Sequence, residues 1–149
     1  MQNLKILNSK EKKLILNKIQ EQFKTSNLDL DYVFLQNNQG RIFLLSNSFK
    51  KLDTKNLRIN ALGLYFANIS KDIRLTIEGS QLIGNKSKNI LEINNDQLKD
   101  WLRGFDIETD KELNRFVIIK NNNDFYGSGL YNKNKILNYI PKERRIKNL

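Results

Sequence analysis

The sequence predicts an α+β fold, with a helix-led α/β domain over residues 1–71 and a small β-barrel over residues 72–149. Three observations carry this expectation. A stretch near the start repeats apolar residues at three-and-four spacing. Two pairs of β-rich runs are each joined by an Asn-rich turn. Two glycines interrupt the last long run, as a bulge or sharp bend in a small closed barrel requires.

In chain order, Leu14, Ile15, Ile19 and Phe23 form the apolar stripe of an opening helix over 9–24, with Ser9 as its N-cap and Leu16 off the stripe. Residues 31–36 and 41–46 read as a hairpin around Asn37-Asn38-Gln39-Gly40, where Asn and Gly tolerate positive φ. Residues 47–52 read as a short helix and 57–66 as further strand. The alternation of apolar and polar residues over 73–78 predicts a strand, and 90–93 another. Asn95 reads as the cap of a helix through Trp101 that stops at Arg103-Gly104. Trp101 sits with Leu98 and Leu102 on the apolar side and is expected in the core. Residues 115–120 and 125–131 form a second hairpin around the turn 121–124, and the basic ending, 132–149, holds the single proline, Pro141.

Composition closes off much chemistry. With no Cys and no His among 149 residues, the chain lacks thiol nucleophiles, disulfides and the commonest general base and metal ligand. Gly127-Ser128-Gly129 matches neither a phosphate loop nor a nucleophile elbow, so the glycines read as structural. The acidic series Asp106, Glu108, Asp110 and Glu112 lacks the spacing of a calcium loop and reads as solvated. No catalytic residue, metal or cofactor is expected. The start has no apolar signal-peptide core and no window resembles a membrane span, so the protein is expected in the cytoplasm, away from membranes.

The formal charge is +10, the footprint of a polyanion binder. Base composition can raise Lys, Asn and Ile together, so the distribution of charge is the stronger observation. Residues 1–71 hold 12 basic and 5 acidic side chains, residues 72–130 hold 8 and 10, and residues 131–149 hold 6 and 1. The ending therefore supplies the candidate nucleic-acid contacts: Lys133, Lys135, Lys142, Arg144 and Arg145 toward phosphates, flanked by Arg103, Lys86 and Lys88. Tyr126, Tyr131 and Tyr139 interleave with it and are candidates either for base stacking or for closing the barrel, with Tyr126 included among the binding residues.

Trp101-Leu102-Arg103-Gly104-Phe105-Asp106, the run Tyr126-Gly127-Ser128-Gly129 and the ending from Ile136 to Ile146 together resemble the C-terminal PUA-like domain of Sun-family RNA cytosine methyltransferases. Where that pattern reads Lys-Asn, this chain has Leu137-Asn138, which displaces a basic contact to Lys135 or Lys133. Arg41-Ile-Phe-Leu-Leu-Ser46, Leu62-Gly63 and Arg74-Leu-Thr-Ile77 resemble the pre-PUA and PUA arrangement of Nip-type ribosome-biogenesis factors. The resemblance implies a pre-PUA α/β domain followed by a PUA-like pseudo-β-barrel. It also implies non-catalytic binding of structured rRNA or tRNA, in RNA modification or ribosome biogenesis. An adaptor that docks an RNA methyltransferase or a ribosome-assembly factor is the alternative.

Overall fold

The computed structural model describes residues 4–46 and 63–147, so the short helix expected over 47–52 and the start of the strand expected over 57–66 lie outside the described residues. The first helix, α1 (Ser9–Phe23), follows a short strand, β1 (Lys5–Ile6). Its cap is Asn8 rather than Ser9. The Asn8 side chain accepts from the Glu11 amide at 2.8 Å, and the Glu11 carboxylate accepts from the Asn8 amide at 3.1 Å. The stripe is also rotated from the expected one. Ile19 and Phe23 are buried and Ile15 and Leu16 pack against the core, while Leu14 is 62% exposed.

The expected hairpin is present as β2 (Tyr32–Gln36) and β3 (Arg41–Ser46), turning at Gly40. With β4 (Leu64–Ile69) and β5 (Ile73–Leu75) these strands build an antiparallel sheet in the order β1-β2-β3-β4-β5. The boundary expected near residue 71 falls in the connection between β4 and β5, which pair through Ile69 and Ile73.

The strand expected over 73–78 ends early. Thr76 takes an extended conformation, accepts from the Gly79 amide at 2.9 Å and starts a second helix, α2 (Ile77–Ile83). The sequence Ile-Arg-Leu-Thr-Ile-Glu fits a strand by alternation and a capped helix start by its Thr, and packing favours the helix. Gly79 and Ser80 are buried, and Ser80 accepts from the Gly127 amide at 2.8 Å.

The second sheet runs β6-β8-β9-β10-β7 and curls into a half-barrel. Its strands are β6 (Ile90–Glu92), β7 (Ile107–Glu108), β8 (Phe116–Asn121), β9 (Asp124–Asn132) and β10 (Lys135–Asn138). Among the described strands only β6 and β8 are parallel, joined through α3 (Asn95–Leu102), whose cap is Asn94 rather than Asn95. Asn94 and Gln97 repeat the reciprocal pair of Asn8 and Glu11, at 2.8 and 2.9 Å. The α+β class holds, with β1, β7, β10 and α2 among the elements the sequence pattern did not supply.

One apolar core joins the two sheets. Phe23 of α1 meets Phe116 of β8 edge-on at 6.2 Å between ring centres, and the same cluster holds Phe34, Phe66, Ile83, Ile118 and Phe125. The Leu75 amide of β5 donates to Ser128 Oγ of β9 at 3.1 Å. A second cluster within the half-barrel centres on Trp101.

Candidate nucleic-acid interface

The C-terminal unit is organised around Trp101, which is fully buried and donates its indole N–H to the Tyr126 carbonyl at 2.7 Å. Gly129 is required beneath it, because a Cβ there would lie 2.5 Å from Ile136 Cγ2 and 2.9 Å from Trp101 Cη2. Asn138 closes the other side. Its amide donates to the Trp101 carbonyl at 2.7 Å and the Phe105 carbonyl at 3.0 Å, and its oxygen accepts from the Ile140 amide at 2.8 Å. Gly104, at φ +99°, ends the helix and leaves room for Arg145, whose Nε donates to the Ile140 carbonyl at 3.0 Å. Residues quoted from all three motifs thus meet in one packed cluster.

This packing sets the final turn, Lys142–Arg144, beside β3, β4 and β5 of the first sheet. Between them lies a cleft of about 380 Å³, lined by Arg41, Tyr65, Asn68 and Arg74 on one side and Tyr139, Lys142, Glu143 and Arg145 on the other. Two cations rest on aromatic faces. Arg74 stands 3.9 Å from the Tyr139 ring centre, and Arg41 stands 5.5 Å from that of Tyr65. Among the described residues four cations line the cleft against one carboxylate, Glu143, so their field favours an anion.

The sequence candidates fall into several environments. Lys142 and Arg145 reach the cleft, with Lys142 exposed and Arg145 half-buried by its packing on Gly104. Arg144 instead pairs with Glu78 of α2 at 2.6 Å. Burial, the largest influence, pushes the Glu78 carboxyl upward, but the hydrogen bond and charge of Arg144 together with hydrogen bonds from the backbone and Thr76 outweigh it and leave the group below its ordinary value of 4.5. The hydrogen bond to Glu78 raises Arg144 in turn.

Lys133 and Lys135 lie elsewhere, in a groove of about 860 Å³ beside β7. There, with Lys111, they face Glu92, Glu108 and Asp110, and Lys135 sits directly opposite Glu108 in the strand register. Charge in this groove is balanced.

Lys86 and Lys88 flank Ser87 at the seam with the end of α1. The Lys86 carbonyl accepts from the Ser26 amide at 3.1 Å, and the Lys88 amide donates to the Lys24 carbonyl at 2.9 Å. Both side chains are exposed. Arg103 is exposed at the end of α3, 5.6 Å from the ring centre of the exposed Phe105. Tyr126 and Tyr131 pack on the Trp101 cluster, leaving Tyr139 as the tyrosine of the three that lines the cleft.

Arg41, Tyr65 and Arg74 were absent from the sequence candidates. They come from three strands of the first sheet and are gathered by its register, which pairs Arg41 with Asn68 and Asn68 with Arg74. The local signal was an arginine at a strand start and another inside a strand, neither distinctive alone.

Residues 88–146 match the family model of the methyltransferase RsmF PUA domain. This stretch is a PUA-like domain. It resembles the C-terminal domains of the Sun-family methyltransferases, as the three motifs implied. The PUA-like domain takes in the whole second sheet, α3 and the final turn, whereas α2 and β5 lie before it. No curated protein matches the chain.

Proposed function

We propose that the protein is a non-catalytic binder of structured rRNA or tRNA, acting in the cytoplasm in RNA modification or ribosome assembly, with residues 1–71 serving as a pre-PUA accessory unit. The observation that carries this reading is the cleft beside the PUA-like domain, where Lys142 and Arg145 face Arg41 and Arg74 across two tyrosines. Clustered cations neutralise successive phosphates and release counterions, and aromatic faces beside them hold bases that are out of a helix. The match of residues 88–146 to a methyltransferase PUA domain supports RNA modification as the setting.

Crosslinking the full chain in cells and sequencing the bound RNA tests the proposal. Enrichment of rRNA or tRNA over cellular abundance is expected, with in vitro affinity falling steeply as salt rises. A bound pool that mirrors total RNA, or affinity indifferent to salt, overturns it. Heat of binding with a methyl-donor cofactor in calorimetry would remove the non-catalytic part.

A further inference from the structure

We infer that the cleft between the two sheets is a composite site for an unpaired RNA nucleotide, with its base on the tyrosine and arginine planes and its flanking phosphates on Arg41, Arg74 and Lys142. This rests on the proposed RNA-binding function and goes beyond it by naming the form of RNA and the contribution of the N-terminal sheet.

Four observations lead there. The cleft volume, about 380 Å³, lies within the roughly 300–1,000 Å³ typical of small-ligand sites and suits a single nucleotide better than a duplex face. Tyr65 and Tyr139 are only half-buried, and each carries an arginine over its ring, at 5.5 and 3.9 Å from the ring centre, giving two cation–π contacts in one cleft. Arginine planes and aromatic faces are the surfaces on which splayed bases stack. Finally, cations enter from both walls, Arg41 and Arg74 from the first sheet and Lys142 from the PUA-like domain, so a backbone passing through meets positive charge on each side of a flipped base. A paired helix offers its bases only at groove edges and cannot use the stacking planes.

The site is therefore shared by both halves of the chain. Its N-terminal wall requires β3, β4 and β5 in register, and its C-terminal wall requires the Trp101 cluster, which holds Ile140 between Tyr139 and Pro141.

The test measures binding of the full chain to two RNAs of equal length and charge, a fully paired duplex and a hairpin with an unpaired loop that carries 2-aminopurine. The hairpin is expected to bind about tenfold tighter, with the fluorescence of its 2-aminopurine changing on binding. Y139A should abolish that preference and the fluorescence change, and Tyr139→Phe should keep both. Arg41→Ala, on the surface of the other wall, should weaken both RNAs about threefold or more. Equal affinity for the two RNAs, or a preference that survives Tyr139→Ala and Tyr65→Ala together, overturns the inference while RNA binding itself stands. Absence of binding to either RNA overturns the inference together with the function on which it rests.

Discussion

The Trp101 cluster and the neighbouring cleft share a wall, yet their residues differ in kind. In the cluster, side chains are spent on the protein itself: Asn138 makes three hydrogen bonds to backbone, Gly129 makes space, and Arg145 lies along Gly104. In the cleft, Arg41, Arg74 and Lys142 present charge to solvent beside half-buried tyrosines. The motif residues of this cluster are architectural, whereas Arg41, Tyr65 and Arg74 of the cleft lie outside the C-terminal motifs. Asn138 is the clearest case, because its amide is fully committed to Trp101, Phe105 and Ile140.

The largest effect that separates these regions is expected from Trp101→Ala. Urea denaturation should show a loss of about 3–5 kcal/mol, since a large fully buried side chain and its hydrogen bond disappear together. Asn138→Ala should cost about 2 kcal/mol by the same measurement, because the Phe105 carbonyl and the Ile140 amide lose their partner and the Trp101 carbonyl keeps only backbone donors. A marginal change in either would mean that the cluster is less structural than its packing indicates.

Arg41→Ala combined with Arg74→Ala should lower RNA affinity about tenfold or more near 0.1 M salt and make the log–log salt dependence shallower by about two units. Its unfolding free energy should stay within about 1 kcal/mol of wild type. An affinity unaffected by this pair removes the distinction between cluster and cleft.

Smaller still is the contribution of the Glu78–Arg144 pair, at most about 1 kcal/mol at this exposure. Folding lowers the Glu78 carboxyl, so its stabilisation is complete above the unfolded value and disappears as pH falls through the lower folded one. Glu78→Gln should accordingly flatten the pH dependence of stability below about pH 5 while leaving its shape near neutrality. The smallest effect is expected from Lys133→Ala with Lys135→Ala, which should change RNA affinity by no more than about twofold because three carboxylates already balance that groove. A tenfold loss would transfer the interface from the cleft to the groove.

Those lysines show where sequence reading reached its limit. The excess charge of residues 131–149 is real as a count, but the chain turns at Lys133 and Asn134 and sends its members to different places. Lys135 faces Glu108, Arg144 faces Glu78, and Lys142 reaches the cleft. Linear charge density says nothing about these partners, which lie 27 to 66 residues away in the case of the first two. Elements set by local rules were legible: both hairpins, the two capped helices to within one residue of their start, and the burial of Trp101. The expected caps, Ser9 and Asn95, each fall one residue late, although Asn8 with Glu11 and Asn94 with Gln97 carry the three-residue spacing of a capping box. Helix α2 was not, because Thr76 and its neighbours satisfy a strand pattern equally well until Gly79 packs against the Phe66 carbonyl.

The contact between Phe23 and Phe116 bears on how such a domain travels between genes. The stretch matched by the family model contains Phe116, Ile118 and Phe125, whose apolar cover in this chain includes α1 and α2, outside that stretch. A recombination event that moved residues 88–146 alone would deliver a half-barrel with a bare aromatic face, prone to self-association. In this chain the matched stretch is thus completed by a lid for Phe116 that lies outside it.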